Sequence, residues 1–146
     1  YHNRNRLAEV IENEYGAKHV SKEELLKNAD FISLNAPYTP ETHKMIGEKE
    51  LNMMKSTAIF INTARGDMVD EKALANALKE NKIWAAALDV FENEPHIIPE
   101  LLELDNVLLA PHAGTKTIED RIKMAIEMCH NILGFYEGTY PISRVN

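Results

Sequence analysis

The sequence predicts an α/β fold built on a doubly wound parallel sheet. Short runs of β-branched and aromatic residues alternate along the chain with longer stretches in which apolar residues recur every three or four positions. The short runs are mostly apolar without alternation, which is typical of strands with helices on both faces of the sheet. With 146 residues, 45% of them hydrophobic, the chain is long enough for one domain with a core.

Local signals place the individual elements. A capping box of Ser21 and Glu24 starts one helix, Asp70 caps another, and Thr117 with Asp120 opens the last. The predicted helices are Leu7–Tyr15, Lys22–Asn28, Glu48–Met54, Glu71–Glu80 and Ile118–Tyr136. The predicted strands are Lys18–Val20, Phe31–Leu34, Ala58–Asn62, Ile83–Leu88 and Val107–Ala110.

The apolar and acidic residues of two helices predict which faces are buried. In the first helix, the acid run Glu9, Glu12 and Glu14 is interpreted as a solvated face. In the last helix, one apolar stripe assigns Cys129 to the core. The stripe consists of Ile118, Ile122, Ala125, Cys129, Ile132 and Tyr136.

Composition and charge exclude several classes of function. The net charge of −7 argues against affinity for nucleic acid or for anionic membranes, since both require basic surfaces. Cys129 is the single cysteine, and there is no run of about 18 apolar residues that could span a bilayer. The chain starts at Tyr1 without a secretory leader. We expect a cytoplasmic protein, a piece of a longer chain, without a metal site.

Four loops follow the carboxyl ends of predicted strands. In open α/β sheets, ligands bind in the crevice at this edge. We therefore expect the functional site among these loops, which are Asn35–Pro40, Thr63–Met68, Asn93–Pro99 and Pro111–Thr115.

Three side chains in these loops could carry chemistry: Arg65, Glu94 and His112. Gly66 and Gly114 beside two of them would let the backbone come close to a ligand or adopt a positive φ. Considered singly, Arg65 could instead be a surface ion-pair partner, Glu94 an ordinary loop acid, and His112 a cap of the last helix. Together they indicate a binding site.

Five segments in register resemble one protein family. They are residues 29–37 (ADFISLNAP) with 39–42 (TPET), 62–66 (NTARG), 69–74 (VDEKAL), 88–91 (LDVF) with 94–95 (EP), and 105–107 (DNV) with 111–112 (PH). In order and spacing they are similar to the D-2-hydroxyacid dehydrogenases, and the resemblance covers nearly the whole chain.

The resemblance implies a catalytic set of Arg65, Glu94 and His112 acting on a small 2-keto acid or 2-hydroxy acid. The guanidinium of Arg65 would orient the substrate carboxylate and polarise the carbonyl, which a lysine could not do through two parallel hydrogen bonds. His112 would be the general acid. Glu94 beside it would favour the protonated ring and fix its orientation.

The resemblance also implies a nicotinamide cofactor, NAD or NADP. Asp89 resembles the residue that binds the carboxamide, although it could also be an N-cap or turn residue at a strand end. The remaining cleft residues implied by the family are Asn35, Ala36, Pro37, Thr63, Ala64, Arg65, His112 and Gly114.

The first six residues favour NADP over NAD. Members of the family that use NAD end a strand here with an acid that binds the ribose 2′-hydroxyl, whereas this chain has Asn3, Arg4 and Arg6. The pattern is similar to NADP-preferring glyoxylate and hydroxypyruvate reductases, in which a 2′-phosphate would lie against the guanidinium groups. The alternative is that Arg4 and Arg6 are solvated charges at the start of a helix.

The glycine-rich loop G-x-G-x-x-G is absent from the sequence. We therefore expect residues 1–146 to be the C-terminal part of a Rossmann-type NAD(P)-binding domain that lacks its first βα unit and its substrate domain. Such a fragment should have no turnover. The strand Phe31–Leu34 would then have an unpaired apolar edge, which favours a homodimer.

Two alternatives remain within the same scaffold. A dinucleotide-sensing corepressor would keep the fold and act through protein contacts, and a phosphoglycerate dehydrogenase would use the same catalytic residues. The formate dehydrogenase branch is disfavoured because it places Gln where Glu94 stands.

Overall fold

The computed structural model describes residues 1–139, and the chain divides into two compact units, Tyr1–His112 and Ala113–Asn146. The first unit contains the sheet, and the second contains one long helix. Residues 140–146 of the predicted 1–146 domain lie outside the described part of the chain.

A parallel sheet organises the first unit. Its strands are β1 (Phe31–Leu34), β2 (Ile59–Asn62), β3 (Ala85–Leu88) and β4 (Val107–Leu109), and they lie in the order β1-β2-β3-β4. In register, Ile32 lies beside Phe60 and Phe60 beside Ala86. The predicted α/β fold is confirmed, with each strand equal to or slightly shorter than its prediction.

The predicted strand Lys18–Val20 is not formed. The N-terminal nitrogen of Tyr1 donates to the Lys18 carbonyl at 2.7 Å, and the Val20 N–H donates to the Tyr1 carbonyl at 2.9 Å. The two hydrogen bonds have the pattern found between parallel strands, but on one side both of them involve only Tyr1. A continuous ladder requires further partner residues, so the prediction of a strand was wrong here.

Four of the five predicted helices begin at the predicted residue, and the first begins at Glu9 rather than at Leu7. The helices of the structure are α1 (Glu9–Tyr15), α2 (Lys22–Asn28), α3 (Glu48–Leu51), α4 (Glu71–Lys79), α5 (Pro99–Leu102) and α6 (Ile118–Tyr136). The side chains of Ser21, Asp70 and Thr117 accept the predicted capping hydrogen bonds from backbone N–H groups three residues on. The short helix α5 was not predicted, and Pro99 at its first position suits a helix start.

Burial alternates along the strands, which corrects the expectation that both sheet faces are covered. In β1, Ile32 and Leu34 are buried while Phe31 is 69% exposed. Because right-handed crossovers between successive neighbouring strands lie on the same side of a sheet, α2 to α5 form one layer. The core, centred on Phe60, lies between this layer and the sheet.

The long helix α6 has no buried residue, and Cys129 within it is exposed. The prediction that Cys129 lies in the core was therefore wrong. In the described part of its unit α6 is the only helix, and a single helix cannot bury its own apolar stripe. No helix within residues 1–139 is both long and apolar enough to cross a membrane.

Glu12 of α1 is buried rather than solvated, contrary to the prediction for its acidic face. It is 5% exposed, accepts hydrogen bonds from Nε and Nη2 of Arg6, and accepts the Tyr1 hydroxyl at 2.6 Å. These bonds, that from Arg6 first, lower the pKa of Glu12 to about 2. Glu12 thereby ties the first residues of the chain to α1.

The depressed pKa of Glu12 predicts a pH dependence of stability. Ionised Glu12 stabilises the fold fully above the ordinary carboxyl pKa of 4.5, and this stabilisation is lost as the pH falls through about 2. As the pH is lowered, the free energy of unfolding of the Glu12→Gln variant should decrease less steeply than that of the parent protein. Urea unfolding at several pH values measures this free energy. Glu14→Gln on the same helix is the control. Equal acid dependence in the parent and Glu12→Gln would contradict the prediction.

Candidate active site

The loop that carries Arg65 is held by the side chain at the end of β2. Asn62 is 1% exposed; its Oδ1 accepts the Ala64 N–H at 3.0 Å and its Nδ2 donates to the Arg65 carbonyl at 3.0 Å. Both hydrogen-bonding groups of the amide are therefore used within this turn. Sequence reasoning missed this function, although an asparagine directly after an apolar strand is a known turn-forming signal.

Gly66 brings this loop against the one that follows β3. A Cβ atom at Gly66 would lie 1.9 Å from the Phe91 carbonyl carbon and 2.4 Å from the Glu92 nitrogen. No side chain fits at such a distance, so the glycine is required by the close approach of two backbones. The approach of Gly66 to a ligand stays a prediction; the approach seen here is to protein backbone, and it places the Arg65 loop beside the segment that leads to Glu94.

Glu94 and His112 form an ion pair. Nδ1 of His112 lies 2.8 Å from Oε2 of Glu94, while Oε1 of Glu94 accepts the Phe91 N–H at 3.1 Å. His112 has a φ of +50°, which a non-glycine residue adopts mainly at turns and functional sites. The two side chains are 47% and 37% exposed, so the pair is accessible to a ligand.

The electrostatics of the pair favour the ionised form of the Glu94 carboxylate. The hydrogen bond with His112 lowers the pKa of Glu94, with a smaller contribution from the positive charge of Arg65. Because Nδ1 is engaged by the carboxylate, Nε2 is the nitrogen available to transfer a proton.

Arg65 lies at the edge of a cavity of about 560 Å³. Its Nη1 donates to the Ala64 carbonyl at 2.6 Å, which folds the side chain back over its own loop. The rest of the lining is Asn35, Ala36, Pro37, Tyr38, Thr63 and Ala64. Tyr38 was not predicted, because a tyrosine in a proline-containing loop carries no specific signal.

A second cavity, of about 630 Å³, shares Asn35, Ala36 and Pro37 with the first and extends to Asn3. The predicted cofactor residues that line these two cavities are Asn3, Asn35, Ala36, Pro37, Thr63, Ala64 and Arg65. They form a cleft along the carboxyl edge of the sheet. The first cavity is lined mainly by small residues, which suits a flat ring and a sugar, so the nicotinamide half of a dinucleotide fits the residues present there. The second cavity runs along β1 and is lined mostly by larger apolar side chains.

Five predicted cofactor residues lie apart from these two linings, and one of them is His112, which is paired with Glu94. Arg4 is exposed, and Arg6 is bound to Glu12. Asp89 follows β3 and is half-buried, with its N–H donating to the Asn62 carbonyl at 3.0 Å. Gly114 belongs to the Ala113–Asn146 unit, and its role stays a prediction. Within residues 1–139, no three His, Cys, Asp or Glu side chains are grouped to hold a metal ion.

Comparison with known proteins gives the family of this chain. The family model for the NAD-binding domain of D-isomer specific 2-hydroxyacid dehydrogenases matches residues 1–114. The chain belongs to this family. The resemblance inferred from the five sequence segments is therefore confirmed.

Three relatives show how much of the family's length the chain represents. A glyoxylate reductase of Thermococcus litoralis is 52% identical over 146 residues, which are 100% of this chain and 44% of that protein. A solved glyoxylate reductase of Paecilomyes thermophila is 45% identical with a TM-score of 0.86, covering 92% of this chain and 40% of the other.

The third relative is an NADPH-dependent glyoxylate/hydroxypyruvate reductase of Sinorhizobium meliloti, solved with NADP and malonate. It is 30% identical with a TM-score of 0.85, covering 93% of this chain and 41% of that chain. The chain therefore spans less than half the length of the relatives that it matches.

Proposed function

We propose that this chain is the cofactor-binding part of a reductase that converts a small 2-keto acid, glyoxylate or hydroxypyruvate, to the corresponding 2-hydroxy acid. The ion pair of Glu94 and His112, 2.8 Å apart beside the Arg65 loop, carries the proposal. Relatives named as glyoxylate reductases support the choice of substrate.

Arg65 binds and orients the substrate in this proposal. Its planar guanidinium presents a fork of N–H donors that matches a carboxylate and the adjacent carbonyl oxygen. The exposed position of Arg65 beside a cavity of about 560 Å³ leaves room for a small acid. The hydrogen bonds of Asn62 fix the backbone of the loop from which the guanidinium extends.

His112 moves the proton. As negative charge develops on the substrate oxygen, Nε2 of the protonated ring donates to it, and in the reverse direction the neutral ring accepts the proton. Glu94 binds Nδ1 and so fixes the orientation of the ring. The partial exposure of both side chains allows the ring to be reprotonated from solvent.

A nicotinamide cofactor, when bound, supplies the hydride. Asn35, Ala36, Pro37, Thr63 and Ala64 line the cleft that would hold it. Asp89 would accept a hydrogen bond from the carboxamide.

Initial rates test the proposed function. The enzyme that contains this domain is assayed with glyoxylate, hydroxypyruvate, pyruvate and phosphohydroxypyruvate, each with NADH and with NADPH. We expect glyoxylate or hydroxypyruvate to have the highest kcat/KM, and residues 1–146 alone to have no turnover. Preference for phosphohydroxypyruvate would favour a phosphoglycerate dehydrogenase, and cofactor binding without any reduction would favour the corepressor.

Arg4 is the residue proposed to select NADP. Since Nε and Nη2 of Arg6 bind Glu12, Arg4 with Asn3 is the better candidate for the 2′-phosphate. A charge-assisted hydrogen bond contributes about 1.5–3 kcal/mol, so Arg4→Ala should raise the Kd for NADPH roughly 10- to 100-fold and leave that for NADH unchanged. Fluorescence titration measures both, with Arg121→Ala as control. Equal losses for the two cofactors would contradict the assignment.

The location and assembly inferred from the sequence stay predictions. A cytoplasmic location rests on the single cysteine. A homodimer rests on the edge of β1, which pairs with β2 alone among the described strands and exposes Phe31.

A further inference from the structure

Glu71, the first residue of α4, is a buried acid to which the proposed mechanism gives no role. It is 3% exposed, and its Oε1 accepts the backbone N–H of Glu92 at 2.7 Å. An acid at a helix N-terminus ordinarily lies in solvent and interacts with its own first turn. Glu71 instead binds the backbone of a distant loop, 21 residues along the chain.

That loop carries Glu94. Phe91 and Glu92 lie against Gly66, the Glu92 carboxylate pairs with Lys44 at 2.7 Å, and the Phe91 N–H binds Glu94. The position of the Glu94 carboxylate therefore depends on where residues 91 and 92 are held. Among the described contacts, the one to Glu71 is the only side-chain hydrogen bond that the Glu92 N–H makes.

The burial of Glu71 is unfavourable for the charged group. Its second oxygen, Oε2, is buried with no hydrogen-bond partner among residues 1–139. Burial raises the pKa of Glu71. The hydrogen bond from the Glu92 N–H opposes this rise, as does the charge of Lys44, whereas the negative charges of Glu92 and Asp67 add to it. A helix start does not require such a group, and features that cost stability are concentrated at functional sites.

We infer that Glu71 is a positioning residue: by accepting the Glu92 N–H it fixes residues 91–94 and so keeps the Glu94 carboxylate on Nδ1 of His112. The inference rests on the function proposed above. It assigns Glu71 no contact with substrate or cofactor.

Kinetics of two Glu71 variants in the complete enzyme test the inference. A glutamine keeps an oxygen that accepts the Glu92 N–H, so Glu71→Gln should retain kcat within about twofold, whereas Glu71→Ala should lower kcat about tenfold or more. KM for the keto acid should change little, because Asn62 holds the Arg65 loop independently.

Glu50→Ala is the matched control, since Glu50 also accepts a backbone N–H at the start of a helix, that of Gly47 at 3.2 Å, and lies outside the site. It should leave kcat unchanged. A fall in kcat as large as that of Glu71→Ala would mean that loss of a helix-start acid acts through general stability, and would overturn the inference.

A double-mutant cycle separates positioning from a structural effect. If Glu71 acts through Glu94, then Glu71→Ala should lower kcat less than about twofold in a Glu94→Ala background, because the side chain that it positions is already gone. An equal loss of kcat on Glu71→Ala in both backgrounds would overturn the inference.

Amide hydrogen exchange in the 146-residue chain tests the inference without any activity. Exchange in residues 91–94 should rise about tenfold or more in Glu71→Ala and stay unchanged in Glu71→Gln. Unchanged exchange in Glu71→Ala would overturn the inference whatever the activity. If exchange increased in Glu71→Ala but the complete enzyme reduced no keto acid, the result would support the role of Glu71 in fixing residues 91–94 and would refute the proposed function.

Discussion

Replacing His112 with alanine should lower kcat for keto-acid reduction by about 10²- to 10⁴-fold, the usual contribution of a positioned general acid. The variant loses the proton donor held by Glu94 at 2.8 Å. Cofactor affinity should change far less, because the cavity linings consist of residues on other loops. Steady-state rates give kcat, and fluorescence titration gives the Kd for the reduced cofactor.

His130→Ala is the matched control, since His130 is an exposed histidine of α6. It should retain full kcat. Glu94→Gln should fall between the two, because an amide oxygen still accepts from Nδ1 while the negative charge is lost. A His112→Ala variant with more than about a tenth of the parent kcat would rule out general acid catalysis by His112.

The sequence predicted where the three candidate side chains lie, whereas their catalytic roles stay predictions. Arg65, Glu94 and His112 each follow an apolar strand, and the carboxyl ends of parallel strands meet at one edge. The structure places Glu94 and His112 in contact and the Arg65 loop beside them. The strand and helix pattern predicts the topology of the sheet, and the topology brings these loops to the same edge.

Burial that depends on distant partners could not be predicted. Glu12 and Glu71 have the sequence environment of solvated helix acids, but one is covered by Arg6 and the other lies beneath the loop at Glu92. Nothing within one helical turn distinguishes them from Glu9 or Glu14. The same limit explains the error at Cys129. The apolar stripe that contains it predicts burial, but the sequence does not identify the surface that would cover the stripe.

Gly66→Ala should disrupt the site more widely than any other single methyl addition. Ordinary overpacking costs about 1–3 kcal/mol, and here the atoms in the way belong to backbone and cannot rotate aside. The two loops would have to separate by more than 1 Å. Since a misplacement of about 1 Å can cost 10²-fold, kcat/KM should fall at least that much.

Gly47→Ala provides the comparison, because a Cβ at Gly47 would meet its nearest neighbour, Oε2 of Glu50, at an ordinary 3.8 Å. Any residue can adopt the φ of −120° found at Gly47, so this variant should lose little stability and should keep its activity. Thermal unfolding and kcat/KM are measured for both. If Gly66→Ala matched Gly47→Ala in both measurements, the two loops would not be in contact, and the arrangement that brings Arg65 towards Glu94 would have to be abandoned.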